Sequence, residues 1–140
     1  MSLYKATEYY LYNYKTMKAE VKNIDLEIDQ MEYMGCAGVS YEEKSAPTNQ
    51  FNSSVENEVI IREKRIASLE QSKRDTLIKI NKIDNALETL EPRDLDIIKL
   101  RYFDKLNNRI IAIRLELSEE WICTLKALAV NKLSTLINIK

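Results

Sequence analysis

Histidine is absent from this chain. That removes the side chain that most often serves as a general base near neutral pH, and with it the commonest zinc ligand. Cysteine is scarce. Cys36 and Cys123 lie far apart and match no metal-ligand spacing. The sequence therefore calls for no metal and no cofactor, and its thiols are expected to be free in a reducing cytoplasm. Two glycines and two prolines leave little material for tight turns, while Leu, Ile, Lys and Glu abound, a balance that favours helix over sheet. No apolar stretch approaches the roughly 18 residues of a membrane helix. MSLYKATEYY at the N-terminus lacks a basic region followed by an apolar run, so neither a membrane segment nor a secretory leader is expected.

What is present is an ordinary globular balance, 45% hydrophobic and 31% charged over 140 residues. One compact domain is expected, or a small module joined to an elongated helical element. Charge is uneven. Residues 1–90 hold 12 Lys/Arg against 15 Asp/Glu, net −3, whereas residues 91–140 hold 9 against 7, net +2. The sign suits a DNA-facing C-terminal half, although strongly basic nucleic-acid modules carry far more.

From Leu3 to Met34 neither glycine nor proline intervenes. Tyr10, Tyr14, Met17, Val21, Ile24, Ile28 and Met31 recur in steps of four and three, which is a heptad seam. A helix over about 3–34 is predicted. It cannot bury its own stripe, so it needs a partner. Tyr4, Tyr9, Tyr10 and Tyr12 fall on several faces and read as amphipathic cover for the end of a bundle; single-strand binders would surround them with Lys and Arg. Residues 35–54 lose the periodicity and hold both glycines and Pro47, so a flexible connection is expected there. The pattern returns over 55–90 through Val55, Val59, Ile66, Leu69, Ile80, Ile83, Leu87 and Leu90. Arg62, Lys73 and Thr76 occupy the remaining seam positions and are expected to fix register. The expected fold is all-α: a long antiparallel helical hairpin, or coiled coil, over 1–90, then a three-helix module over 91–140. The same seams can pair between chains, so a homo-oligomer, most simply a dimer, is expected.

Pro92 ends the long helix and suits the first turn of the next. Arg93–Phe103 follows, with Leu95, Ile98 and Tyr102 on one face. Asn107 or Asn108 caps a second helix ending at Leu115, and Glu116-Leu117-Ser118 forms the turn. Ser118 caps a third helix from Glu119 to about Ile137. Ala112 is small where two helices would approach closely. Ile111, Leu115, Leu117, Ile122, Ala129 and Leu133 are the expected small core. This spacing is that of a helix-turn-helix.

The run LEPRDLDIIKLRYFDKLNNRIIAIRLELSEEW carries a resemblance. Leu-Arg-Tyr-Phe at 100–103 and Ile-Ala-x-x-Leu-x-Leu-Ser at 111–118 resemble promoter-recognition region four of bacterial sigma factors. Small phage and prophage regulators of the RinA and ArpU type, late-gene activators with a helical N-terminal half, are similar in layout. The resemblance implies sequence-specific binding of double-stranded DNA in the control of phage or mobile-element genes, with RNA polymerase as a second candidate partner. It places Ser118, Trp121, Cys123, Thr124 and Lys126 at the major groove and Asn107, Asn108 and Arg109 on the backbone. Arg101, Lys105 and Arg114 are further candidates for phosphates, solvated surface being the plainer account of each. Two departures stand out. Glu116 occupies the family's turn glycine, so a left-handed backbone there carries strain. EEWICTLKALAVNKL is poor in Lys and Arg where relatives are rich. That helix is also apolar on more than one face, so a second face is expected to pack on another element.

An enzyme is not expected. Asp94 and Asp96 sit two apart on a helix, pointing apart, and read as an acidic first turn. Cys123 has no histidine to activate it. The alternative to a DNA reader is a protein-interaction module that binds polymerase or another regulator.

Overall fold

The computed structural model describes residues 2–42 and 49–138, with side chains over 2–34 and 55–138. Among the described residues all regular structure is helical, in the order α1 (Leu3–Tyr12), α2 (Tyr14–Glu42), α3 (Asn49–Leu87), α4 (Pro92–Ile98), α5 (Asn108–Leu115) and α6 (Glu119–Ile137). Helix α4 continues as a π-helical turn over Lys99–Phe103. The all-α class follows from the composition as expected.

The single helix expected over 3–34 is two helices. Asn13 divides them: its backbone N–H and its side-chain amide both donate to the Tyr9 carbonyl, at 3.1 and 2.7 Å. A short polar side chain that bonds its own backbone competes with the helical ladder. Beyond it, α2 runs through Gly35 and Gly38 to Glu42, and α3 starts at Asn49. The expected connection over 35–54 is thus helical at both ends. Its middle, 43–48, lies outside the described residues. Glycine costs a helix about 1 kcal/mol without forbidding it, so the two glycines were a poor stop signal here.

The chain divides into two compact units, one made of Met1–Lys18 with Ile78–Lys140 and the other of Ala19–Leu77. These bounds differ from 1–90 and 91–140, because α1 and the last turns of α3 pack with the C-terminal helices.

In the unit 19–77, Asp25 pairs with Lys73 at 2.5 Å and Glu27 with Arg65 at 3.9 Å. Numbers that rise along α2 fall along α3, so the hairpin is antiparallel. The expected seam faces inward: Val21, Ile24, Ile28 and Met31, with Val59, Arg62, Ile66, Leu69, Lys73 and Thr76, are all buried or half-buried. Only Ile28 and Leu69 among the described residues of this unit are fully buried. Leu26, Tyr33, Ile60 and Ile61 point to solvent.

The other unit has the larger core. Ile97, Ile98, Tyr102, Ile111, Ile122 and Leu133 are wholly inaccessible to solvent. Full burial of such side chains stabilises by about 1.5–3 kcal/mol each, and Ile122→Ala is the change that would most directly open this core. Helix α6 packs on α1, α4 and α5. Its second apolar face, built of Val130, Leu133 and Ile137, is buried. Asn138 of α6's C-terminal cap donates to the Thr7 hydroxyl at 2.7 Å.

Candidate nucleic-acid interface

Helix α5 begins where Asn107, in extended conformation, accepts the Ile110 N–H on its side chain at 2.9 Å. Such a cap satisfies one of the four donors every helix start leaves unpaired. Asn108, the first residue inside the helix, is half-buried, and its Oδ1 is buried with no hydrogen-bond partner. Arg109 is exposed.

The corner between α5 and α6 closes without glycine. Glu116 takes φ 56°, ψ 42°, the left-handed conformation. Leu117 N–H then reaches back to the Ala112 carbonyl at 3.0 Å, and Glu116 N–H to that of Ile113 at 3.4 Å. These two bonds are a Schellman ending, and its usual apolar contact is present, Leu117 packing on the cluster that holds Ala112. Lys105 repeats the device after the π turn, with φ 57° and Leu106 N–H bonded to the Leu100 carbonyl. Ser118 starts α6 by accepting the Trp121 N–H at 3.1 Å.

Ile97, Ile111, Ala112, Ile122 and Leu125 form the core that holds the two helices against α4, with Leu100, Leu106, Leu115 and Leu117 around it. Ile122 points inward, so α6 must turn Glu120, Cys123 and Thr124 outward, and all three are exposed. Trp121 is 43% exposed on one flank, and Lys126 is half-buried on the other. Asn108, Ser118, Glu119, Glu120 and Cys123 line one shallow depression at the N-terminal ends of α5 and α6. Of the candidate residues the depression at this edge brings together Asn108, Ser118 and Cys123, while Asn107, Arg109, Trp121, Thr124 and Lys126 are not among its lining.

Electrostatically that edge is acidic. Glu116, Glu119 and Glu120 stand at the corner and the first turn, where carboxylates complement the helix dipole. Several cations have structural duties. Lys132 donates to the Thr89 carbonyl at the end of α3, at 2.8 Å. Arg101 lies over the rings of Tyr12 and Tyr102 and donates to the Leu106 carbonyl. Lys15 pairs with Asp104. Lys99, Lys105, Arg109 and Arg114 are exposed.

Behind this edge α1 forms a brace. Tyr102 donates to Glu8, and Tyr12 meets the Tyr102 ring edge-on at 4.9 Å. Burial, then the bond to Glu8, push the Tyr102 phenol far above its ordinary range. Tyr4 is raised by burial and by the Glu8 carboxylate. Tyr14 stacks on Phe103 and donates to Asp84, so burial and that bond raise it too. Tyr4, Tyr12 and Tyr14 are therefore packing residues of this unit, whereas Tyr9 is 60% exposed. The heptad pattern of 3–34 concealed this, because the residues that brace the module lie on the same helix as the start of the seam.

Residues 86–135 match the family sigma-70, region 4. The module is a sigma-region-4-like helix-turn-helix. The matched segment is 50 of the 140 residues, and it takes in the last residues of α3 along with α4, α5 and most of α6. Neither a curated protein nor a solved structure matches the chain. Region 4 is a DNA-binding helix-turn-helix. Among the described residues no group of three His, Cys, Asp or Glu is placed to hold a metal ion, and no helix is long and apolar enough to cross a membrane.

Proposed function

We propose that the protein is a sequence-specific DNA-binding transcriptional regulator of the phage or mobile-element type, working in the cytoplasm. The observation that carries this reading is the α5–α6 corner within a region-4-like module. It holds α6 by its inner face and leaves Glu120, Cys123 and Thr124 outward. In this reading Ser118–Lys126 enter the major groove and Asn107–Arg109 touch the backbone. Thr124 meets a base edge or a thymine methyl. Trp121 packs against the sugar-phosphate wall, and Lys105 and Arg114 add phosphate contacts. Selection from a random duplex library at about physiological salt tests it. A reproducible motif is expected; failure to enrich any sequence, with no retention at low salt, overturns it.

The protein acts as a homo-oligomer in the same reading. Support comes from the hairpin, where most seam residues stay half-exposed and Leu26, Tyr33, Ile60 and Ile61 are uncovered. Two spaced half-sites in the selected motif, and a sedimentation mass above one chain, are expected.

A second reading is favoured by the acidic corner and by exposed apolar residues of the same two helices, Ile113 at 70% and Leu128 at 61%. Such a surface fits a protein partner, RNA polymerase or another regulator, and would bind it without reading DNA. DNA retention with little dependence on salt would favour this reading, because phosphate neutralisation makes true DNA affinity steeply salt-dependent.

A further inference from the structure

The first two outward turns of α6 offer acceptors and apolar groups, and almost no donors. Glu120 presents a carboxylate, which at neutral pH only accepts. Thr124, one turn on, is a donor in principle, but its hydroxyl hydrogen is bonded to the Glu120 carbonyl at 3.1 Å. Lone pairs and a methyl group are what it turns outward. Cys123 beside them adds an exposed thiol, at best a weak donor. Arginine and lysine, whose donor forks recognise guanine O6 and N7, are missing from this face. Lys126 sits half-buried to the side, and the Ser118 hydroxyl belongs to the cap.

Each base pair shows the major groove a distinct set of groups. Guanine presents two acceptors, cytosine and adenine present amino donors, and thymine presents a methyl. An acceptor-rich helix face leaves guanine unpaired and repelled, and it pairs with exocyclic amino groups. We infer that α6 reads cytosine or adenine amino groups through Glu120 and a thymine methyl through Thr124, with no guanine contact under α6. This rests on the DNA-binding reading proposed above and adds the base chemistry it selects. Glu119 extends the same acceptor character along the depression that it lines with Asn108, Ser118, Glu120 and Cys123.

The test begins with the motif selected from the random library. Each guanine in the α6 footprint is replaced by 7-deazaguanine, which lacks the N7 acceptor. Each cytosine and adenine is separately replaced by its N-methylated amino form. Binding is expected to be unchanged by the first set and weakened about tenfold by at least one of the second. Glu120→Gln adds an amide donor while keeping one acceptor, and is expected to shift the preferred base at one position towards adenine; circular dichroism confirms that the variant is folded. Tenfold loss on 7-deazaguanine substitution beneath α6 overturns the inference and leaves sequence-specific binding standing. A motif indifferent to Glu120→Gln and to amino methylation also overturns it. If no motif emerges from any library, the DNA-binding reading itself has failed, a result distinct from both.

Discussion

Tyr102 donates its phenolic hydrogen to the Glu8 carboxylate 2.7 Å away, across 94 residues of sequence. The ring is wholly buried, and Arg101, Tyr12 and Tyr4 surround it. Hydrogen bonds to a charged partner contribute about 1.5–3 kcal/mol. Tyr102→Phe is therefore expected to lower the stability of the helix-turn-helix unit by about 2 kcal/mol, read as the shift in urea midpoint. An unchanged midpoint would mean that α1 is not a working brace. Removal of residues 1–12 is expected to cost much more, because it takes away the packing of α1 on α6 as well as this bond.

The same phenols set a response to alkali. Tyr4, Tyr14 and Tyr102 are all raised above their ordinary value of 10.0. Above that pH the unfolded chain releases phenolic protons that the folded one retains, so the unfolded state gains. Stability conferred by these groups is complete below pH 10 and declines as pH climbs beyond it, for Tyr102 by up to about 1.4 kcal/mol per pH unit. Urea midpoints from pH 8 to 11 are expected to hold flat and then fall, with a gentler fall in Tyr102→Phe. A fall complete by pH 9 would contradict the assignment.

Glu116 bears the strain that a glycine would relieve. A left-handed conformation costs a residue with a Cβ about 1–2 kcal/mol, part of which glycine's freedom in the unfolded chain takes back. Glu116→Gly is expected to raise stability by about 1 kcal/mol. It also removes a negative charge from the proposed DNA edge, so non-specific DNA affinity is expected to rise. Destabilisation on calorimetry would show that the glutamate side chain makes a contact worth more than the strain.

Salt dependence of DNA binding is expected to be shallow for a helix-turn-helix. Lys105, Arg109 and Arg114 supply three phosphate contacts in the proposed placement, giving a log–log slope no steeper than about −3. Arg109→Ala is expected to reduce its magnitude by about 1. A slope near −8 in fluorescence anisotropy would place the interface elsewhere on the molecule.

Lys73 stands in the apolar seam of the hairpin and pairs with Asp25. Polar residues at such positions specify register and association number at a cost in stability. Lys73→Leu is expected to raise the denaturation midpoint while broadening the mass distribution in light scattering. Lower stability at unchanged mass would disprove this role.

Much of this architecture was legible in the sequence, for reasons that can be named. Asn107 and Ser118 cap because short polar side chains precede apolar runs; the sequence points to Ser118 directly and to Asn107 or Asn108 for the earlier helix, where Asn107 is the cap. Glu116 takes the left-handed turn because Ala112, Leu117 and Ile122 must pack together, and their spacing shows that need. The seam from Val21 to Met31 was visible as steps of four and three. Other features left no local trace. Asn13 looked like any polar residue on a long helix. The π turn at Lys99–Phe103 carries Tyr102, whose partner Glu8 periodicity cannot locate. Placing α1 against α6 required contacts across more than a hundred residues. Nothing in the one-dimensional pattern says that Thr124 turns its hydrogen inward to the Glu120 carbonyl or that Lys132 closes the end of α3.

The bond between Thr7 and Asn138 bears on the order in which the molecule assembles. Residues 19–77 pair through contacts between α2 and α3, which lie close in sequence. The unit around α6 joins two segments separated by that whole hairpin, and such distant closure is the slow kind. Early zipping of α2 against α3 brings Tyr14 towards Asp84, the two residues that clasp the base. The hairpin is then a folding aid. Weakening it is expected to slow the arrival of a finished recognition helix even when the final structure is unchanged.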